Sequence, residues 1–148
     1  MDARTWIVLA DAATARIYEP QADRRGWRLV AERTHPESRA KESELRTDKP
    51  GRVKQSAGYR VAMEPSTPRK EVEAEKFARE IAKTLDEALL AKAYDRVVLV
   101  AAPAFLGLLR EILPDRVQRH VADVVEKDYL HLDPREVHER LQHQLEAR

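Results

Sequence analysis

Arg96 to Ala101 reads RVVLVA, a continuous β-branched run with no polar side to turn toward water. Such a run predicts a strand in the middle of a sheet, covered on both faces. The stretch before it supplies one cover. Phe77, Ile81, Leu85 and Leu89 recur every four residues, and Ala74, Ala78, Ala82 and Ala88 widen the stripe, while Glu73, Lys76, Glu80 and Lys83 occupy other faces. That spacing is a long amphipathic helix lying on a sheet. Thr67 is its expected N-cap, with Pro68 at the first helical position, where a missing N–H costs nothing.

The first third of the chain alternates like antiparallel sheet. Thr5 to Ala10 is an apolar run suited to a buried strand, and Asp11 to Thr14 supplies a turn into a second strand, Ala15 to Glu19. Pro20 to Gly26 holds a polar turn. In the third strand Trp27, Leu29 and Ala31 share one face and Arg28 and Glu32 the other, the period of two of a half-covered sheet. Beyond the central run, Pro103 opens a shorter helix through Phe105, Leu106, Leu108, Leu109 and Ile112, stopped by Pro114, in which Gly107 is expected to permit close approach to the sheet. His120 to Glu126 reads as a fifth strand. The last helix carries Asp133 as N-cap, Pro134 next, Glu136 closing a capping box, and Leu132 stapled to Val137.

The element order is β-β-β-α-β-α-β-α. Right-handed crossovers then place helices on both faces of a mixed five-stranded sheet, a three-layer α/β arrangement that resembles the ribonuclease-H-like fold. The 148 residues suit one hydrophobic core, so residues 1–148 are read as a single domain.

Composition excludes several classes of function. Charged residues are 36% of the chain, yet the formal net charge is +1, so any field that attracts a polyanion must be local. The absence of cysteine rules out disulfides and thiolate zinc sites. The apolar run from Trp6 to Ala10 is too short for a signal peptide, and no stretch approaches the roughly 20 apolar residues of a membrane helix. The expectation is a soluble cytoplasmic protein with no membrane contact.

Residues 35 to 66 carry no sustained apolar period, and a polar connection of that length in a small domain is usually a binding loop, a lid or disorder. It is modestly basic. Arg39, Lys41, Arg46, Lys49, Arg52, Lys54 and Arg60 stand against Glu37, Glu42, Glu44, Asp48 and Glu64. Candidate binding residues are Arg52, Lys54, Gln55, Ser56, Tyr59 and Arg60, with His35 and Glu64 as loop anchors. Backbone amides and cations there suit RNA phosphates, and Tyr59 offers one stacking platform.

Catalytic signatures are sparse. A metal nuclease on such a sheet needs several carboxylates converging at one end. Asp11 stands where the first would be, but the central strand runs out into Ala101-Ala102-Pro103, and an Asp closing a strand reads as a turn residue. His131, His138 and His143 lack the helical spacing that directs two imidazoles at one metal. No Gly-x-Ser-x-Gly elbow or Gly-x-x-x-x-Gly-Lys loop occurs. No cofactor, metal site or catalytic residue is expected.

Several motifs in order carry a family resemblance. His35-Pro36-Glu37-Ser38-Arg39, Asp48-Lys49-Pro50-Gly51-Arg52, Ser56-Ala57-Gly58, Ala62-Met63-Glu64-Pro65, Phe77-Ala78, Val97 to Ala101 with Pro103, Phe105-Leu106-Gly107, and Lys127-Asp128 with His131-Leu132 resemble the bacterial host attachment protein family. The likeness covers essentially the whole chain. Val53, Gln55 and Val61 depart from the Phe, Asp and His more usual in that family, so its loop chemistry is not carried over. The organisation also resembles the central domain of archaeal and eukaryotic peptide-chain release factors, whose loop bears Gly-Gly-Gln. Gln55 falls where that glutamine would stand, but Val53 and Lys54 replace both glycines, so peptide release is not implied.

What the likeness implies is a non-catalytic module that engages rRNA, tRNA or the ribosome through its basic loop. The rival reading is an intracellular protein-interaction module acting indirectly in host attachment, and a metal-dependent nuclease is a third. No heptad run specifies an oligomer.

Overall fold

The computed structural model describes residues 4–21, 26–36 and 58–146, with side chains of the last stretch described from 70 to 143. Five strands, β1 (Thr5–Ala10), β2 (Thr14–Pro20), β3 (Trp27–Thr34), β4 (Arg96–Ala101) and β5 (Val121–Val125), form one sheet in the order β3-β2-β1-β4-β5. β1 pairs antiparallel with β2 and parallel with β4, and β4 pairs parallel with β5, so the sheet is mixed. Four helices are described: α1 (Gly58–Leu90), α2 (Pro103–Ile112), the single turn α3 (Asp115–Gln118), and α4 (Pro134–Glu146). The fold is mixed α/β with helices on both faces.

Alternation along β1 and β4 splits the core in two. Trp6, Val8, Val97 and Leu99 face Phe77, Ile81 and Leu85 of α1 together with Leu106 and Leu109 of α2. Ile7, Leu9, Val98 and Val100 face Val137 and Leu141 of α4, with Tyr129 closing the side. Both strands are buried on both faces, as their unbroken apolar sequence requires, although β1, not β4, takes the middle position. At α4 the expected start is present: Asp133 Oδ1 accepts from the Glu136 amide at 2.9 Å, and Leu132 packs in the cluster that holds Val137. The Glu136 carboxylate itself accepts from Arg140 at 3.0 Å.

Four expectations are corrected. The polar strip does not run to residue 66, because the backbone is helical from Gly58 and Thr67 does not cap it. Pro65 and Pro68 forgo amide bonds to the Val61 and Glu64 carbonyls, but a φ near about −65° is the helical value, so proline removes rungs without ending the helix. In β3 the simple alternation is broken. Ile17 pairs with Ala31 and Tyr18 with Leu29, leaving Val30 as an extra residue. Trp27 therefore joins the α4 side, Val30 and Ala31 the α1 side, and Leu29 is 47% exposed. Gly107 makes no close approach, since a Cβ there would meet nothing within 4 Å. α3 was not expected; it forms because Pro114 leads into a turn in which the Arg119 amide reaches the Asp115 carbonyl and Val117 is fully buried. Among the described residues no helix is long and apolar enough to cross a membrane.

Candidate functional site

The connection after β1 turns on Asp11. Its Oδ1 accepts from the amides of Ala13 and Thr14, both at 2.8 Å, and its own amide donates to the Thr14 carbonyl at 2.9 Å. This is the turn role that an Asp closing a strand implies. The chain leaving β3 is tied to the same turn, because the His35 amide donates to the Ala13 carbonyl at 2.8 Å.

From there the His35 ring passes beneath α1. Its Nε2 lies 2.8 Å from Glu73 Oε1 and its Nδ1 3.8 Å from Glu80 Oε2, and the ring stacks on Phe77 with centroids 5.6 Å apart. Lys76 Nζ stands 3.7 Å from the other Glu73 oxygen. His35 is 8% exposed and Glu73 4%, so a hydrogen-bonded imidazole–carboxylate pair is enclosed at the root of the segment that follows β3. A buried carboxylate is tolerated only when partners replace its water, and His35 with Lys76 provides them. The sequence reading placed Glu73 on a solvated face, and the structure buries it. The signal was present: Glu73 is the first member of the four-residue ladder that continues through Phe77, Ile81, Leu85 and Leu89.

Two crevices flank the Asp11 turn at the carboxyl ends of the strands. On the α4 side a polar one of about 250 Å³ is lined by Asp11, Thr14, Arg16, Asp128, Leu130 and His131. Arg16 is fixed there by bonds from Nε to Glu32 at 3.0 Å and from Nη1 to the Leu130 carbonyl at 3.1 Å, and the Glu32 bond raises its guanidinium further above its usual range. On the other side a crevice of about 540 Å³ has walls of Ala12, Ala74, Ala104, Phe105 and Leu108, with Lys70, Glu71 and Glu75 on its rim. It occupies the point where the connections from β1 and β4 diverge in opposite directions, the usual place for ligands in open α/β sheets. Among the described residues no group of three or more His, Cys, Asp or Glu is placed to hold a metal ion.

Residues 6–141, from β1 through most of α4, match the family model described as "Protein required for attachment to host cells". The chain belongs to that family. No curated protein matches it. In this host-attachment protein the residues expected to bind fall as follows. Arg52, Lys54, Gln55 and Ser56 lie outside the described residues; Tyr59, Arg60 and Glu64 fall on the first turns of α1, where side chains are not described. Of the expected site residues, His35 has a described side chain, and its partner Glu73 was not among them.

Proposed function

We propose that this host-attachment family member is a binding module that engages RNA, on the ribosome or as free rRNA or tRNA, through the cationic stretch that begins after His35. The observation that carries the reading is how that stretch is mounted. It departs at a buried His35–Glu73 pair and re-enters through α1, whose Lys70 to Glu75 turn lines the larger crevice. Residues 46–60 bear Arg46, Lys49, Arg52, Lys54 and Arg60 against Asp48, with Glu44 before them and Glu64 after. Several cations on one tether suit a phosphodiester backbone, with Gln55, Ser56 and Tyr59 available for base contacts. The layer order agrees with a ribonuclease-H-like arrangement and with the likeness to the release-factor central domain, and we read the module as acting in the cytoplasm.

Salt dependence tests this. RNA affinity should fall steeply with added salt, and in the Arg52→Glu, Lys54→Glu, Arg60→Glu variant the logarithmic salt slope should shrink by about two units. An unchanged slope and affinity would remove the stretch from the contact.

One observation favours a second reading, an intracellular protein-interaction module: the walls of the 540 Å³ crevice are mostly apolar. A protein contact there would be nearly insensitive to salt and would be lost on filling the crevice with Ala74→Leu.

A further inference from the structure

We infer that the crevice of about 250 Å³ beside the Asp11 turn is a pocket that reads a guanine of single-stranded RNA, with Asp128 and Arg16 as the reading groups. This rests on the RNA reading above and names a base contact within it.

Separate stretches of chain build the crevice. Asp11 closes β1, Thr14 and Arg16 lie at the start of β2, and Asp128 to His131 follow β5; β1, β4 and β5 run parallel and β2 antiparallel, so all meet at one end of the sheet. A direct bond joins two of them, from Arg16 Nη1 to the Leu130 carbonyl at 3.1 Å. The stretch after β5 is itself anchored, because Tyr129 is buried on the α4 side and the Leu132 amide donates to the Tyr129 carbonyl at 3.1 Å. Asp128 and His131 belong to the motifs that carry the family likeness, yet both are exposed and neither belongs to the core.

The polar groups decide the class of ligand. Asp128 accepts from the Leu130 amide at 3.3 Å through Oδ1, and its Oδ2 has no partner among the described residues. The Thr14 hydroxyl and the His131 ring likewise have none there. Arg16 gives Nε to Glu32 at 3.0 Å, and with the Leu130 carbonyl and the Tyr18 hydroxyl this engages part of its donor fork and leaves the rest for a ligand. A cation would bring donors only and set a like charge against Arg16. An anion would bring acceptors only, against an Arg16 that Glu32 and Asp11 already offset and an Asp128 that repels it. What fits is an uncharged group with donors and acceptors together. Among the RNA bases guanine alone sets its N1–H and N2–H donors side by side, where one carboxylate takes both, while its O6 and N7 accept from an arginine. The volume agrees, since about 250 Å³ falls below the ~300 Å³ of the smallest drug-sized sites and suits a single base. His131 supplies a ring on which a base can stack. The Asp11 turn also receives the His35 amide at 2.8 Å, so the chain that carries the cations leaves β3 beside this pocket.

Fluorescence anisotropy on the full chain reads this with a short labelled oligouridylate carrying one central guanosine, compared with the same strand carrying adenosine or inosine there. The guanosine strand should bind about tenfold tighter than the adenosine strand, with inosine, which lacks the N2 amine, between them. In Asp128→Asn the preference should disappear while affinity for plain oligouridylate is not weakened; the inosine comparison uses wild-type protein and needs no variant to fold. Equal binding of the guanosine and adenosine strands, with binding still lost in the Arg52, Lys54, Arg60 variant, would overturn the pocket and leave the RNA reading standing. A guanosine preference that survives in Asp128→Asn would overturn the assignment of the site. No binding of any strand by the wild-type protein would overturn both readings. Saturable uptake of a free α-amino acid in calorimetry, lost in Asp128→Asn and without a guanosine preference, would overturn the choice of a base.

Discussion

Where β1 and β4 begin, charged side chains stay in water: Arg4 and Arg28 reach Glu19, and Arg116 forks onto Asp86 at 2.6 and 2.9 Å from an exposed surface. Where the same strands finish, charge is drawn inside, with Glu73 and His35 enclosed beneath α1 and crevices on both sides of the Asp11 turn. The contrast is energetic. Exposed pairs contribute little because water competes for both partners, whereas an enclosed pair becomes a liability as soon as one partner is removed. The enclosed pair therefore fixes the point where the chain leaves β3, while the arginines at the other end stay paired with acids in contact with water.

The largest expected effect breaks the packing around the enclosed pair. Phe77 is fully buried, stacks on His35 and lies 6.3 Å from the Phe105 ring, so Phe77→Ala should lower unfolding free energy by about 4 kcal/mol in urea titration. A loss near 1 kcal/mol would mean that the His35 corner is looser than its geometry implies. Next comes the pair itself. Glu73→Ala should cost about 3 kcal/mol, whereas Glu73→Leu combined with His35→Phe should recover much of that loss, because both polar groups then leave together. Equal losses in the single and double variants would contradict coupling between the two residues.

The entering end of the sheet supplies the smaller effects. Tyr94 donates its hydroxyl to the Leu85 carbonyl at 2.8 Å, and Tyr94→Phe should cost about 1 kcal/mol near neutral pH. Burial pushes the Tyr94 hydroxyl up to about 12. Its contribution is complete below the unfolded value of about 10 and is lost as pH rises through about 12, so the phenylalanine variant should show a weaker alkaline loss in that window. Smallest is Asp86→Asn. The Arg116 hydrogen bond holds the Asp86 carboxyl below its usual range, so its stabilisation is present above that range and fades as pH falls through the lowered value. In high salt the variant and wild type should melt together.

Elements whose own sequence decides them were legible. β1 spans Thr5 to Ala10 as the apolar run implies, α2 runs from Pro103 to just before Pro114, and the Asp133 cap precedes α4. Features decided by a distant partner were not. The extra residue in β3 depends on its register against β2, and the short turn α3 depends on a pocket for Val117. Glu73 stood on the apolar ladder, but residue type argued for water, and the buried imidazole that bonds to it stands just past the far end of β3.

Co-sedimentation of the untagged protein with ribosomes from cell lysate tests the central claim most directly. The account predicts that the protein pellets with ribosomes at low salt, is released at high salt, and stays in the supernatant when Arg52, Lys54 and Arg60 are reversed to glutamate. Wild-type protein that remains in the supernatant at low salt, or a reversed variant that pellets as wild type does, would contradict it.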